Sequence, residues 1–262
     1  MDLQLTDKLA LVTGSTKGIG HAIAKLLAQE GARVIVNGRS EASVTQALSE
    51  IRREAPDAKL EGFAGDLAEA SGAVALLERF PQLDILVNNL GIFQPQPFEE
   101  ISDEEWRRFF EVNVLSAVRL SRQYLPGMRQ KDWGRLVFMS SESGIQIPAE
   151  MIHYGMTKTA LLAVSRGIAE TCAGSGVTSN AILPGPTLSA GVVDFAATLS
   201  GGRPLEEFER EFFQKVRPSS LLKRFATTDE VASLVAFVCS PLSVATNGAA
   251  LRVDGGVIRS CF

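Results

Sequence analysis

Tyr154 and Lys158 lie one helical turn apart in Tyr154-Gly155-Met156-Thr157-Lys158. On a helix both side chains leave the same face. A phenol alone is a poor acid or base near neutrality, with an ordinary pKa of about 10. An ammonium beside it favours the phenolate and lowers that value. The pair therefore suits proton transfer, with Tyr154 giving a proton to a substrate oxygen or taking one from it. Upstream, Ser140, Ser141 and Ser143 supply hydroxyl donors. A second kind of chemistry is written in Thr13-Gly14-Ser15-Thr16-Lys17-Gly18-Ile19-Gly20. Glycines there permit a tight turn and let backbone N–H groups approach a phosphate at a helix N-terminus.

These residues need a frame. Apolar runs read as strands at Lys8–Thr13, Arg33–Asn37, Lys59–Phe63, Asp84–Asn88, Arg135–Ser140, Val177–Leu183 and Ala249–Val253. Amphipathic stretches between them read as helices at Lys17–Glu30, Val44–Glu54, Asp103–Arg129 and His153–Ala173. Continuous apolar strands alternating with helices predict a parallel sheet covered on both faces. The expected fold is α/β, a Rossmann-type doubly wound sheet of about seven strands, with ligands at the C-terminal ends of the strands. The glycine loop falls between the first strand and the first helix, which favours a dinucleotide site over a purely structural turn. No repeat, low-complexity tract or linker divides the chain, so residues 1–262 are expected to form one domain.

Bulk properties narrow the function. The chain has 262 residues, is 45% hydrophobic and 21% charged, and carries a net charge of −4. That is ordinary for a globular enzyme. No basic block supports nucleic-acid binding. Cys172, Cys239 and Cys261 are far apart and odd in number, with no metal-binding or disulfide spacing. No metal is expected, and the thiols suit a reducing compartment. No signal peptide or membrane span is visible, so no membrane association and a cytoplasmic location are expected.

The glycine spacing is Gly-x-x-x-Gly-x-Gly, and it occurs together with Asn88-Asn89-Leu90-Gly91, Ser141 thirteen positions before Tyr154, Pro184-Gly185 and Val253-Asp254-Gly255-Gly256. In this combination, from Lys8 to Gly256, the chain closely resembles the short-chain dehydrogenase/reductase family in its single-domain form. The resemblance implies a nicotinamide-dependent oxidoreductase that interconverts a ketone and a secondary alcohol. It implies Tyr154 as the acid–base, Lys158 as a second contact to the nicotinamide ribose, Ser141 as donor to the substrate oxygen, and Asn113 as the holder of a relay water. Gly14, Ser15, Thr16, Lys17, Gly18, Ile19 and Gly20 would bind the cofactor. Asp66 and Leu67 would sit by the adenine, and Asn89 and Gly91 by the adenosine ribose. Pro184 and Gly185 would lie by the nicotinamide, with either Thr187 or Ser189 as the hydroxyl contact. Gly38 occupies the place where an NAD-preferring relative usually carries aspartate. Arg39 next to it, with Lys17, favours a 2′-phosphate, so NADP(H) is expected to be preferred, with NAD(H) possible.

On the substrate side the expected lining is Phe93, Ser143, Ile147, Met151, His153 and Phe212. His153 points about 100° away from Tyr154 on a helix and suits packing as well as a pocket. Leu188–Ser220 leaves the sheet and is expected to form a lid at about 188–220. Gly201-Gly202 would be its joint, followed by a helix from Pro204 with Leu205, Phe208, Phe212 and Val216 as its apolar stripe. Apolar residues Leu115, Val118, Leu125, Leu161, Val164 and Ile168 on two long helices imply a homotetramer or homodimer. Two rivals are a 3-oxoacyl-carrier-protein reductase, docking its partner through Arg119, Arg122, Arg129 and Lys131, and a dinucleotide-sensing scaffold. The scaffold would be expected to lack Tyr154 or Lys158, and both are present.

Overall fold

Strand residues with no polar alternation must be covered on both sides, and the observed layering follows from that. The structure, a computed structural model, describes residues 1–189 and 204–261. Seven strands are β1 (Leu9–Val12), β2 (Arg33–Gly38), β3 (Lys59–Ala64), β4 (Ile85–Asn88), β5 (Gly134–Met139), β6 (Val177–Pro184) and β7 (Ala250–Val253). They form one sheet in the order β3-β2-β1-β4-β5-β6-β7. Every pairing is parallel. The order reverses direction between β1 and β4, so their C-terminal ends border a crevice where an open α/β sheet binds its ligand. This is the doubly wound fold expected from the apolar runs.

The helices are α1 (Gly18–Gln29), α2 (Glu41–Glu54), α3 (Ala70–Arg79), α4 (Asp103–Phe110), α5 (Ser116–Gln130), α6 (Ile152–Thr171), α7 (Leu205–Lys215) and α8 (Thr228–Cys239). Successive strand residues face opposite sides. Ala10 and Val12 of β1 pack with Ile23 and Leu27 of α1 and Val231 and Val235 of α8. Leu11 faces the other way, into a core with Leu120 and Tyr124 of α5 and Leu161 of α6. Of the residues expected at a subunit contact, Leu161 is therefore core, while Leu125, Val164 and Ile168 are half-buried against that same core.

The long helix expected over 103–129 is present with one modification. Glu111–Leu115 form a π turn between α4 and α5. Two further helices, α3 and α8, have no counterpart in the sequence expectations. Gly72 weakens the helical pattern of α3, yet a methyl there would overlap the Asp66 carbonyl. α8 is announced by a capping box, in which Thr227 and Glu230 satisfy each other's backbone N–H groups. Within the expected lid, residues 190–203, including Gly201-Gly202, lie outside the described residues. The described part is α7, and its buried face differs from the expected stripe. Phe208 and Phe213 are buried with Phe225, and Phe212 packs on them, whereas Leu205 and Val216 are exposed. Phe213 takes the inward place because four phenyl rings close on one another there, with Phe213 and Phe225 centroids 5.2 Å apart.

Candidate active site

The glycine loop leaves β1 and enters α1. Gly14 and Gly18 have φ of +60° and +61°, left-handed values that favour glycine. A methyl on Gly20 would overlap the Asn89 side-chain nitrogen and the Gly14 carbonyl oxygen. The Ser15 hydroxyl donates to the Val12 carbonyl at 2.7 Å and accepts from the Asn37 N–H at 2.9 Å. Its side chain is therefore spent on shaping the loop. Thr16 packs its methyl against Gly38. Asn37, which the sequence reading passed over, accepts from the Gly14 N–H at 3.0 Å. Asn89 donates to the Thr13 and Gly14 carbonyls at 2.9 and 3.2 Å, tying the end of β4 to the loop. Leu90 is partly buried in the core beside Gly14.

A cleft of about 1450 Å³ opens over these strand ends. Lys17, Gly18, Ile19, Gly20, Arg39, Asn89 and Gly91 line one part of it; Pro184, Gly185, Thr187 and Ser189 line another. Lys17, at the N-cap of α1, makes no side-chain capping bond, and a helix N-terminus of this kind suits an anion. Lys17 and Arg39 are exposed. A dinucleotide diphosphate fits this arrangement of glycine walls, helix end and cations. Asp66 and Leu67 lie beyond the lining. The Asp66 carboxylate accepts from the Ala68 N–H at 2.9 Å, and the Leu67 side chain is core. Thr187 donates its hydroxyl to the Gly185 carbonyl at 2.9 Å.

Tyr154, Lys158 and Ser141 come together at the inner end of the cleft. The Lys158 ammonium donates to the Met139 carbonyl at 2.8 Å and lies 5.5 Å from the centre of the Tyr154 ring. Burial brings the Lys158 pKa down to about 8. Burial likewise pushes the Tyr154 phenol up to about 12, with the Ser141 hydroxyl working against the rise. The lowering of the phenol by Lys158, expected from their spacing, is not found here: the groups that act against the rise are Ser141 and Arg217, and loss of solvent outweighs them. Asn113 sits in the π turn with its side chain fully engaged. Its oxygen accepts from the Ile92 N–H at 2.7 Å, and its amide donates to the Ile92 carbonyl and the Thr157 hydroxyl, each at 3.0 Å.

The substrate side is lined by Phe93, Ser143, Met151 and Phe212. Phe93 meets the Tyr154 ring edge-on, centroids 6.3 Å apart. Two expected lining residues are elsewhere. His153 is fully buried against Phe109, with centroids 4.0 Å apart, so it is a packing residue. Ile147 is outside the cleft and packs over Gly155, where a methyl would lie 2.8 Å from it. The sequence reading missed Glu142 and Arg217, both buried and both lining the cleft. Arg217 Nε donates to Glu142 Oε1 at 2.8 Å across 75 residues of chain. The only sequence signal was a carboxylate set among three serines in Ser140-Ser141-Glu142-Ser143.

Residues 14–258 match the family model described as enoyl-(acyl carrier protein) reductase. Over the full length of both chains, the protein is 48% identical to an uncharacterised oxidoreductase, YvaG, of Bacillus subtilis. The chain belongs to the short-chain dehydrogenase/reductase family. A second relative is the D-beta-hydroxybutyrate dehydrogenase of Cupriavidus necator, 36% identical over 96% of this chain and 98% of the relative. Among solved structures, L-sorbose reductase from Gluconobacter frateurii, complexed with NADPH and L-sorbose, superposes with a TM-score of 0.90 at 30% identity. That match covers 99% of this chain and 100% of the other. This short-chain dehydrogenase/reductase is an oxidoreductase, and the NADPH-bound neighbour supports a nicotinamide dinucleotide as its cofactor. No helix among the described residues is long and apolar enough to cross a membrane.

Proposed function

We propose that the protein is an NADP(H)-dependent oxidoreductase that interconverts a ketone and a secondary alcohol. The observation that carries this reading is the convergence of Tyr154, Lys158 and Ser141 on the same cleft as the glycine loop, at the switch point of the sheet. Bound NADPH supplies the hydride. Tyr154, protonated at neutral pH, gives its proton to the carbonyl oxygen and takes one back in the oxidation. Lys158 holds the ribose beside it. Asn113, by fixing Ile92, shapes the wall over this site. As the family resemblance implies, Asn113 would also hold a water of the proton relay. Phe93, Met151 and Phe212 exclude solvent from the reacting carbon.

Preference for NADP(H) rests on Lys17 and Arg39, two cleft cations, with Gly38 between Asn37 and Arg39 where a competing carboxylate is absent. The neighbour crystallised with NADPH is consistent with that preference. The carrier-protein reductase reading is weakened by Arg119, which is committed to Glu111 and to the Ala68 carbonyl and so does not belong to a free basic face. We place the protein in the cytoplasm as a dimer or tetramer built on α4–α5 and α6, and sedimentation equilibrium showing only monomer would contradict that assembly. The test of function is steady-state oxidation of NADPH with a panel of carbonyl compounds. Turnover of ketones that is abolished by Tyr154→Phe is the expected result. Cofactor binding with no turnover of any carbonyl or alcohol would favour the sensing role instead.

A further inference from the structure

A buried carboxylate stands beside the Ser141 hydroxyl, and the proton relay does not use it. Glu142 is 4% exposed. Its Oε1 takes the Arg217 Nε–H at 2.8 Å. Its Oε2 takes the Ser141 hydroxyl at 3.0 Å and also the Ser143 hydroxyl. Arg217 is itself buried and braced on Glu150 at 3.5 Å, so the ion pair belongs to the cleft wall and not to the surface.

An ionised carboxylate only accepts hydrogen bonds, and a serine hydroxyl has one proton to give. Ser141 Oγ meanwhile accepts from the Ser143 N–H at 3.1 Å. In this geometry the single proton of Ser141 is directed to Glu142, with the Tyr154 oxygen as the competing acceptor, and while it stays there it does not serve a carbonyl oxygen. For Ser141 to bond the substrate it must leave Glu142. That would leave Glu142 Oε2 with the Ser143 hydroxyl alone, one charge-assisted bond fewer at a buried carboxylate, a loss that a replacement donor makes good. A hydroxyl on the carbon next to the carbonyl is such a donor. As Ser141 turns to the carbonyl oxygen, the neighbouring hydroxyl takes its place on Glu142 Oε2, and every hydrogen bond is conserved.

We propose that the substrate is an α-hydroxycarbonyl compound, reduced to a vicinal diol, and that Glu142 is the residue that selects it. The inference rests on the oxidoreductase reading above and narrows its substrate class. In the balanced step the carbonyl carbon gains hydride from NADPH, which becomes NADP⁺. The carbonyl oxygen gains the Tyr154 proton, which solvent restores. The adjacent hydroxyl is unchanged. A ketone with no such hydroxyl leaves Glu142 with one donor fewer, only Ser143 and Arg217 remaining, and a 2-oxo acid sets a second negative charge against it.

The experiment compares kcat/KM for hydroxyacetone, acetone and pyruvate, and for their longer homologues, with NADPH and the full chain. Wild type should favour the hydroxyketone over the plain ketone by about a hundredfold or more, as expected where a site built to bond a hydroxyl meets an analogue lacking it. The 2-oxo acid should be poorest. Glu142→Gln should bring the hydroxyketone-to-ketone ratio down towards one, with NADPH affinity measured by fluorescence as the control for folding. Equal efficiency for both ketones in wild type overturns the proposal without any variant. So does a ratio that survives Glu142→Gln. In either case turnover itself leaves the oxidoreductase reading standing, whereas no NADPH oxidation with any carbonyl overturns both.

Discussion

The Lys158 ammonium is anchored 2.8 Å from the Met139 carbonyl, at the C-terminal end of β5. One hydrogen bond to a neutral acceptor does not offset its burial, and its pKa falls to about 8. The proton it carries is thus labile near working pH. NADPH is anionic and should bind best while Lys158 is charged. Its affinity should fall as pH rises through about 8, and Lys158→Met should flatten that dependence. Fluorescence titration across the interval decides it. Stability of the free enzyme should move the opposite way. Between about 8 and the usual 10.5 the unfolded chain binds this proton and the folded chain does not, so stability rises with pH there.

Tyr154→Phe keeps the ring that packs edge-on against Phe93 and removes the proton. General acid catalysis contributes roughly 10²–10⁴-fold, so kcat should fall by about that factor. NADPH affinity should change little. Stopped-flow measurement of hydride transfer, paired with a binding titration, separates the two. An unchanged kcat would remove Tyr154 from the role proposed for it.

Arg39 lines the cleft just after β2. Arg39→Asp replaces a cation suited to a 2′-phosphate with a group suited to ribose hydroxyls. The ratio of kcat/KM for NADPH over NADH should drop by about tenfold or more, equivalent to about 1.4 kcal/mol, the scale of one charge-assisted hydrogen bond. Efficiency with NADH that already exceeds that with NADPH in wild type would refute the preference.

Phe212 touches both the cleft and the aromatic cluster of Phe208, Phe213 and Phe225. Phe212→Ala should lower Tm, because truncating a packed phenyl costs up to about 3–5 kcal/mol when the ring is fully buried and less for this partly buried one. KM should rise more for bulky carbonyls than for small ones. A variant that loses Tm while KM stays the same across substrate sizes would make α7 a purely structural element.

Much of this was legible from residue order because it is local. Strands such as Arg33–Gly38 and Val177–Pro184 are buried along almost their whole length, so their apolar runs stand out. Gly14, Gly18, Tyr154 and Lys158 are spaced within single turns of chain. Other features depend on contacts that no window of sequence contains. Glu142 and Arg217 meet across 75 residues of chain, with β6 and α7 between them. His153 reads from its position beside Tyr154 as either a pocket or a packing residue, and only the placement of Phe109 and Trp106 of α4 against it decides for packing. α8 was missed although Thr227 and Glu230 signal its start, because its continuous apolar run has little helical periodicity.

The π turn at Glu111–Leu115 also sets the phase of everything after it. Each residue in a helix turns the chain by about 100°. Ala117, Leu120, Ser121, Tyr124 and Met128 form the buried face of α5 only because the extra residue has already been counted. Deleting one residue from 111–115 would convert the turn to a regular α-helix and swing that face towards solvent, taking the Tyr124 hydroxyl away from the Phe80 carbonyl it reaches at 2.9 Å. The irregularity that shapes the wall of the cleft is therefore also a rotational offset on which the contribution of α5 to one core layer depends, and the chain cannot lose it without refolding α5.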